Sequence, residues 1–566
     1  MNSWTPRFLR WFVGPRPLGP PGYVLPRWLF LRALGVIYFS AFYSLLFQIR
    51  GLLGPSGLMP VGMYLHDVAQ HFGVSRYWYA PTLLWLGSGD RALLALCWFG
   101  MIASLLLFLN LWPRGMLVIG FVLFLSFVSA AQDFSGYQSD GMLLGAGFLC
   151  LFFAPSGLRP GWGACQPPSR ASLFLLKLLW FTIYFESGVA KYFGGDPSWR
   201  DLSAMDQYYQ NGPLPTWIGW YVQQLPHGFH AATALFTLVA ELVLVWMLFL
   251  PRHFRIVCFF LVTFLQIGII LTANYAFLNY LVLSLGVLLL DDRFLVSYLP
   301  QRWTVAVRAN LEQLPPSATE SQKVELQLTP ETTSLDSCAT TPAPLVLTAP
   351  TPASVSLAQQ LASATYLWLA AFFLAWILYA NLFLVLEQIF HSPTLPVEPV
   401  LALEPFRVAN QYGLFGRMTW KRYEIEFQGS IDGTHWAPYP FRSKPQNPAV
   451  APGIYAPYQP RFDWNLWFAS LGYWRENPWV LRGEQLLLSN DKDVLSLFAS
   501  NPFPTAPPTQ VRAVLWQYWF TDRSTRRSTG MWWRREFLGL YAPALARAPD
   551  GRFSVAAWPD SLPAPP

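Results

Sequence analysis

Charge is scarce in this chain of 566 residues: 12% are Asp, Glu, Lys or Arg, whereas 53% are hydrophobic and 17% aromatic. A soluble globular protein carries about twice that charged fraction, so the deficit excludes an ordinary soluble fold. It points to a polytopic membrane protein with length to spare for one soluble domain. Cysteine is scarce too. Cys97, Cys150, Cys165, Cys258 and Cys338 are the only five; none follows residue 338, so the C-terminal region can form no internal disulfide. No CxxC pair occurs, which argues against a thiol oxidoreductase and a cysteine-built zinc site. His66, His71, His227, His230, His253, His391 and His435 are scattered without metal-ligand spacing, and no metal or other cofactor is expected. GxSxG, HExxH, P-loop and strand-borne GxGxxG signatures are all missing. There is no Asn-x-Ser/Thr sequon either, which favours a bacterial source over a glycosylating compartment. The formal charge of +7 resides largely in loop arginines and not in a basic domain interleaved with aromatics, so no nucleic-acid partner is expected.

What is present is a series of apolar runs. They lie near 29–48, 92–112, 115–132, 140–155, 172–193, 230–250, 255–273, 277–291 and 363–388, about nine spans of which the fourth and eighth are short. Arg7, Arg10, Arg16 and Arg27 directly precede the first run, so it reads as a retained span rather than a cleaved signal. Placing the N-terminus in the cytoplasm puts Arg114, Arg159, Arg170, Arg252, Arg255 and Arg293 on that side, while QDFSGYQSD (132–140) and ANYAFLNY (273–280) on the other side hold no basic residue. An odd number of spans then delivers the C-terminal region to the non-cytoplasmic side. The expected organisation is a cytoplasmic segment 1–28, a helical membrane domain 29–300, a disordered Pro/Thr/Ala-rich cytoplasmic linker 301–362, a ninth helix 363–388, a domain 395–545 and a disordered tail 546–566. Within 395–545, RYEIEFQGS-IDGT-HWAPYPF alternates around an Asp-Gly turn as a hairpin does; RFDWNLWFASLGYW has helical spacing, and VRAVLWQYWFTD and REFLGLYAP return to strand. The fold class is therefore a polytopic α-helical membrane bundle followed by a soluble α+β domain, β-sandwich-like, outside the cytoplasm.

One span breaks the apolar rule. SLFLLKLLWFTIYFESGVAKYF (172–193) holds Glu186 and Lys191, and charges near the bilayer centre cost about 2.5–3.5 kcal/mol each on insertion scales. The two are five residues apart, about 140° around a helix, so they do not pair directly. Lys191 reads either as a lysine snorkelling to the interface or as part of a site. Glu186 lies deeper and requires a partner across the bundle or cavity water. Glu241 on the next span is a second buried acid. The three form either a polar pocket opening outward or a hydrogen-bonded network that fixes helix packing. The segment 194–225, dense in Trp and Tyr, is an interfacial loop or a lid over that pocket, with Asp196, Arg200 and Asp201 at its rim. The arginines of TDRSTRRSTGMWWRREF read as a solvated hairpin face.

ESGVAKYFGGDPSWRDLSAMDQYYQNGPLPTWIGWYVQQLP, YGLFGRMT, YEIEFQGSIDGTHW, APYQPRFDWNLWFASL, PWV, NPFP and VRAVLWQYWF, in that order, closely resemble the lipase maturation factor family from about residue 25 to about 545. The resemblance implies a protein of the endoplasmic reticulum membrane, or of the inner membrane in a bacterium, whose C-terminal domain assists client lipases to fold into active homodimers. An exported client protein and membrane lipid are the partners implied. DWNLWFAS and the hairpin 423–441 match most closely, which makes Tyr423, Trp436, Trp464, Trp467 and Phe468 the client-binding candidates. More distantly, FESGVAKYF is similar to the lysine-bearing helix in the transmembrane domain of vitamin K-dependent carboxylases. That implies the rival reading, a membrane enzyme using Lys191 as a base on a lipid or quinone-like substrate. A transporter is least favoured, because no internal repeat is visible.

Overall fold

The computed structural model describes residues 22–163, 166–298, 300, 357–391, 394–548 and 551–560. All nine apolar runs are helices: α1 (Val24–Leu46), α2 (Asp90–Phe108), α3 (Pro113–Val128), α4 (Gln138–Phe153), α5 (Arg170–Phe193), α6 (His227–Leu242), α7 (Arg252–Thr272), α8 (Leu278–Gly286) and α9 (Leu357–Phe390). Six are long and apolar enough to cross a bilayer, α6 together with its 3₁₀ continuation to Phe249; α3, α4 and α8 are shorter. Expected linker residues 301–356 lie outside the described residues, and α9 starts at Leu357, ahead of the expected 363. Small residues set the closest crossing. A Cβ on Gly100 of α2 would lie 2.4 Å from the Phe42 ring of α1, and one on Gly35 would lie 2.9 Å from the Phe108 backbone nitrogen, the close approach that glycine permits between spans. Helix α5 is central, with 83% of its apolar window buried, whereas α7 has 17% and presents most of its surface outward.

The C-terminal domain is built on one antiparallel sheet. β3 (Gln510–Phe520) is its axis, and β1 (Arg422–Ser430) pairs along it from Arg422↔Tyr518 to Ser430↔Gln510. The opposite edge of β3 is shared by β4 (Trp533–Leu540) and β5 (Ala544–Arg547), and β6 (Phe553–Ala557) pairs with β5. The expected hairpin forms around Gly433 at φ 76°, but its second arm, β2, is only Ala437–Pro438. Residues 553–557 are strand and not disordered tail. Nor is the domain a sandwich. Tyr423, Ile425, Phe427, Val511, Ala513 and Leu515 share one buried face above α10 (Arg461–Ala469) and α11 (Pro478–Leu488), so helices supply the second layer. An alternating strand reveals that one face is buried without revealing what covers it. The other face of β1 is buried as charge: Glu424 is paired with Arg422 and, at 2.9 Å, with Lys444, and Glu426 lies 3.3 Å from Arg535.

This domain docks on one end of the bundle. Arg461 of α10 forms a fully buried two-pronged ion pair with Asp140 of α4, at 2.7 and 2.8 Å, donates to the Phe134 carbonyl at 2.7 Å, and lies against the Phe127 and Tyr137 rings. Asn274 accepts the Tyr455 and Ala456 N–H groups and donates to the Gly453 carbonyl. Gln48 accepts from Phe462 N–H and donates to the Gln459 carbonyl, while Arg422 binds the Gln210, Gly212 and Pro213 carbonyls. The opposite end gathers the chain entry and the basic loops. Arg27 donates to Gly163 and Gln166 carbonyls, Asp292 accepts from Val24 and Leu25 N–H, Arg252 pairs with Asp291 at 2.6 Å, and Arg114 donates to the Ala154 carbonyl.

Two outcomes are expected from this arrangement. Arg461→Leu leaves Asp140 buried and unpaired and should cost about 3–5 kcal/mol, whereas Arg461→Leu with Asp140→Leu should restore most of that; thermal unfolding of the purified detergent-solubilised protein measures both. Glu484 of α11 is fully buried, accepts one hydrogen bond from Ala513 N–H, and burial pushes its carboxyl well above the ordinary 4.5. The folded state therefore keeps a proton that the unfolded chain releases, so stability falls by about 1.4 kcal/mol per pH unit as pH rises above the unfolded value, until the folded carboxyl ionises. Glu484→Gln should raise the melting temperature near neutral pH and leave it unchanged near about pH 4.

Candidate functional site

Glu186 and Lys191 of α5 lie toward the end of the bundle where the C-terminal domain docks. Lys191 is 2% exposed, Glu186 2% and Glu241 7%. Lys191 Nζ donates to Glu241 Oε1 and Oε2 at 2.9 and 2.8 Å and to the Leu414 carbonyl at 2.8 Å, and it lies 5.3 Å from the Trp199 ring centre. An ammonium has three N–H bonds to give, and these acceptors surround it. The snorkelling reading is thereby overturned, since the side chain reaches inward. Glu186, on another side of the helix, accepts the Tyr412 N–H at 2.6 Å, and its own carbonyl accepts from Gln388 of α9 at 2.7 Å. The five-residue spacing is thus resolved by separate partners: the base bonds to α6 and the acid to the C-terminal chain.

A single strap, residues 410–419, covers the cluster. Leu414 N–H donates to Ser187 Oγ at 3.2 Å, Gly413 N–H to Gln138 at 3.2 Å, Met418 N–H to Asp196 Oδ2 at 2.7 Å, and the Phe415 carbonyl accepts from Trp199 Nε1 at 3.0 Å. Asn211 donates to the Thr419 carbonyl at 2.7 Å. Gly416 passes so close to α5 that an added Cβ would lie 3.1 Å from that of Ala190. The polar atoms are taken up by the Lys191–Glu241 pair and by the backbone of the strap, and the arrangement is a clamp. A lysine that acts as a general base must be deprotonated and within reach of the proton it takes; Lys191 as placed here is a buried donor to Glu241 and the Leu414 carbonyl.

The expected rim divides. Asp196 is buried and belongs to the clamp, bonding Met418 and Ser198 N–H, whereas Arg200 and Asp201 are exposed, and Asp201 accepts from its neighbour Ser203. The cover is the strap more than the segment 194–225. The client-binding candidates divide as well. Tyr423, Trp464 and Trp467 are 2, 7 and 8% exposed, so they are core residues and offer no ring to a client; Trp464 packs on Tyr137 and Tyr275. Phe468 is 47% exposed, and Trp436 is half-buried beneath the Arg512 guanidinium at 3.9 Å. Helical spacing distinguishes the faces of α10 without saying which face meets the bundle, and here most of it does. The residues that join the two parts, Asp140, Arg461, Asn274, Gln48 and Arg422, escape a sequence reading, because each is an ordinary polar residue until its distant partner is known. Among the described residues no group of His, Cys, Asp and Glu converges to hold a metal ion.

Helices of this length and composition, topped by a sheet domain clamped through buried charge, define a multi-pass membrane protein with a folded extramembrane domain. The chain belongs to the lipase maturation factor family. Residues 25–297 match the lipase maturation factor transmembrane domain and residues 408–543 the lipase maturation factor C-terminal domain. The chain is 31% identical to lipase maturation factor 2 of Gallus gallus, with 95% of this chain and 84% of that protein covered, and 30% identical to lipase maturation factor 1 of Bos taurus, with 96% of each covered. It is 29% identical to lipase maturation factor 1 of Homo sapiens over 94% of this chain and 91% of that one. No solved structure matches the chain.

Removing one side of the α5 ion pair should be worse than removing both. Lys191→Met strands Glu241, and Glu241→Met strands Lys191, each at about 3–5 kcal/mol, while the double replacement by methionine should be milder than either; melting curves of the three variants test the ordering.

Proposed function

We propose that this protein is a membrane-anchored maturation factor for exported proteins, lipases by family, and that its C-terminal domain holds the folding client on the non-cytoplasmic side. The endoplasmic reticulum membrane is the setting that the relatives' family favours, and the inner membrane is its counterpart in a bacterium. The observation that carries the reading is the separation of the two ends. Arg27, Arg114, Arg252 and Arg293 lie with the chain entry and the basic loops, while the sheet domain is fastened to the arginine-free loops 132–140 and 273–280. The positive-inside rule supports a position for the domain on the side where exported chains fold. Client capture requires exposed apolar groups, because partly folded clients present unburied apolar surface. Phe468, Tyr473, Trp420 and Phe537 are 47, 43, 49 and 48% exposed on this domain, and they replace the buried rings as candidates. The rival enzyme reading finds less support, since it needs Lys191 uncovered.

The test is lipase activity per unit of secreted lipase in cells deprived of their own factor and supplied with variants. Removal of 395–566 should abolish the gain in activity. Phe468→Ser combined with Trp420→Ser should weaken client capture by roughly tenfold per ring, as loss of an aromatic anchor does, with the factor's own melting temperature unchanged. Lys191→Arg should retain activity under the clamp reading. If it abolishes activity in a protein that still folds and still captures client, the proposal fails in favour of base chemistry.

A further inference from the structure

Where the end of α1 meets the C-terminal domain, a cleft of about 460 Å³ opens between Tyr43 and Phe47 on the bundle side and domain residues between 442 and 497 on the other. One acid and one base stand among its described lining residues, Asp463 and Arg442. Asp463, in the first turn of α10, is 2% exposed. Its Oδ2 accepts the Ser443 N–H at 2.7 Å, whereas its Oδ1 is buried with no hydrogen-bond partner among the described residues. The Lys444 ammonium draws on this carboxylate but is committed to the Ile425 carbonyl and to Glu424. Burial outweighs it and lifts the Asp463 carboxyl from the ordinary 3.8 to about 6. Arg442 is exposed and donates to the Ser496 carbonyl at 3.1 Å, so the acid and the base share the cleft without bonding each other. Toward the bilayer the cleft continues as a ladder of rings. Phe39, Tyr43 and Phe47 follow one another on α1, a helix long and apolar enough to cross, with ring centres 6.2 and 5.0 Å apart. Tyr43 and Phe47 are 42 and 55% exposed, and Tyr458 of the domain closes on Tyr43 at 6.3 Å.

We infer that this cleft binds a zwitterionic phospholipid with a primary ammonium headgroup, its ammonium on Asp463 Oδ1, its phosphate on Arg442 and an acyl chain along the Phe39, Tyr43 and Phe47 ladder. A buried carboxylate oxygen without a donor is costly, and an ammonium supplies both the opposite charge and the N–H that it requires. The guanidinium suits the phosphate that such a headgroup carries beside its ammonium. A trimethylated headgroup has no N–H to give to Oδ1. A headgroup with a carboxylate would bring like charge against Asp463, and a soluble amine would leave the ring ladder unused. The inference is independent of the client reading, since none of these residues is a client-binding candidate on the exposed face.

The test uses the full chain in nanodiscs of equal parts phosphatidylcholine and phosphatidylethanolamine, with retained lipids counted by native mass spectrometry. Phosphatidylethanolamine should be retained roughly tenfold over phosphatidylcholine, the worth of one charge-assisted hydrogen bond. Asp463→Asn keeps an acceptor for the Ser443 N–H but removes the charge, and it should bring the two lipids to equal retention. Arg442→Gln should weaken retention of both roughly fivefold and leave their ratio unchanged, because both carry the phosphate. Equal retention of the two lipids by the parent, or an Asp463→Asn variant as selective as the parent, would overturn the site. Displacement of phosphatidylethanolamine by millimolar free ethanolamine would equally overturn it, by showing a small-amine site in place of a lipid site. The parent's own lipid ratio and the ethanolamine competition decide the matter even if a variant does not fold.

Discussion

A charge withdrawn from water must meet its opposite where it is buried, and at the seam between bundle and sheet domain this requirement is met several times over. Arg461 and Asp140 have no exposed surface, and each would be a large liability alone. Their two-pronged geometry is satisfied only when α10 stands over the first turn of α4, so the pair sets the position of one domain on the other as well as holding it. Arg422 does the same at the edge of β1 through three carbonyls of the 210–213 loop. Such pairs contribute less net stability than their Coulomb attraction implies, because desolvation offsets much of it. Their value is selectivity, since any other docking leaves charge stranded.

The clamp on α5 extends this logic into the membrane domain. Helix α5 is the most buried of the spanning helices, and its polar residues are completed by α6, α9 and the 410–419 strap. Three parts of the chain that are far apart in sequence thus converge on one helix. A shift of the C-terminal domain would uncover Lys191 and Glu186 together, which couples domain position to the packing of the bundle. On the proposed function, a client would meet a rigid body, and rigidity lowers the entropic cost of capture.

Buried charge serves a different end at the opposite pole. There Arg27, Arg252 and Asp292 fasten the chain entry to the loops.

The positions of all nine helices and of the main strands were legible because apolar periodicity is local and needs no partner to be seen. Segment 172–193 also announced itself, since Glu186 and Lys191 are anomalous against the bilayer whatever surrounds them. The failures share a cause. Tyr423, Trp464 and Trp467 are aromatic on faces whose burial depends on a neighbour, and the sandwich was expected because a strand pattern says nothing about the layer above it. Sequence alone determined which segments form the apolar helices, where the basic loops lie, and that α5 needed a polar partner. Tertiary structure decided which partner: Glu241 and the Leu414 carbonyl for Lys191, Tyr412 for Glu186, Asp140 for Arg461. Hydrophobic burial is a property each residue carries with it, whereas an ion pair between residues 321 positions apart exists only once the chain has brought them together.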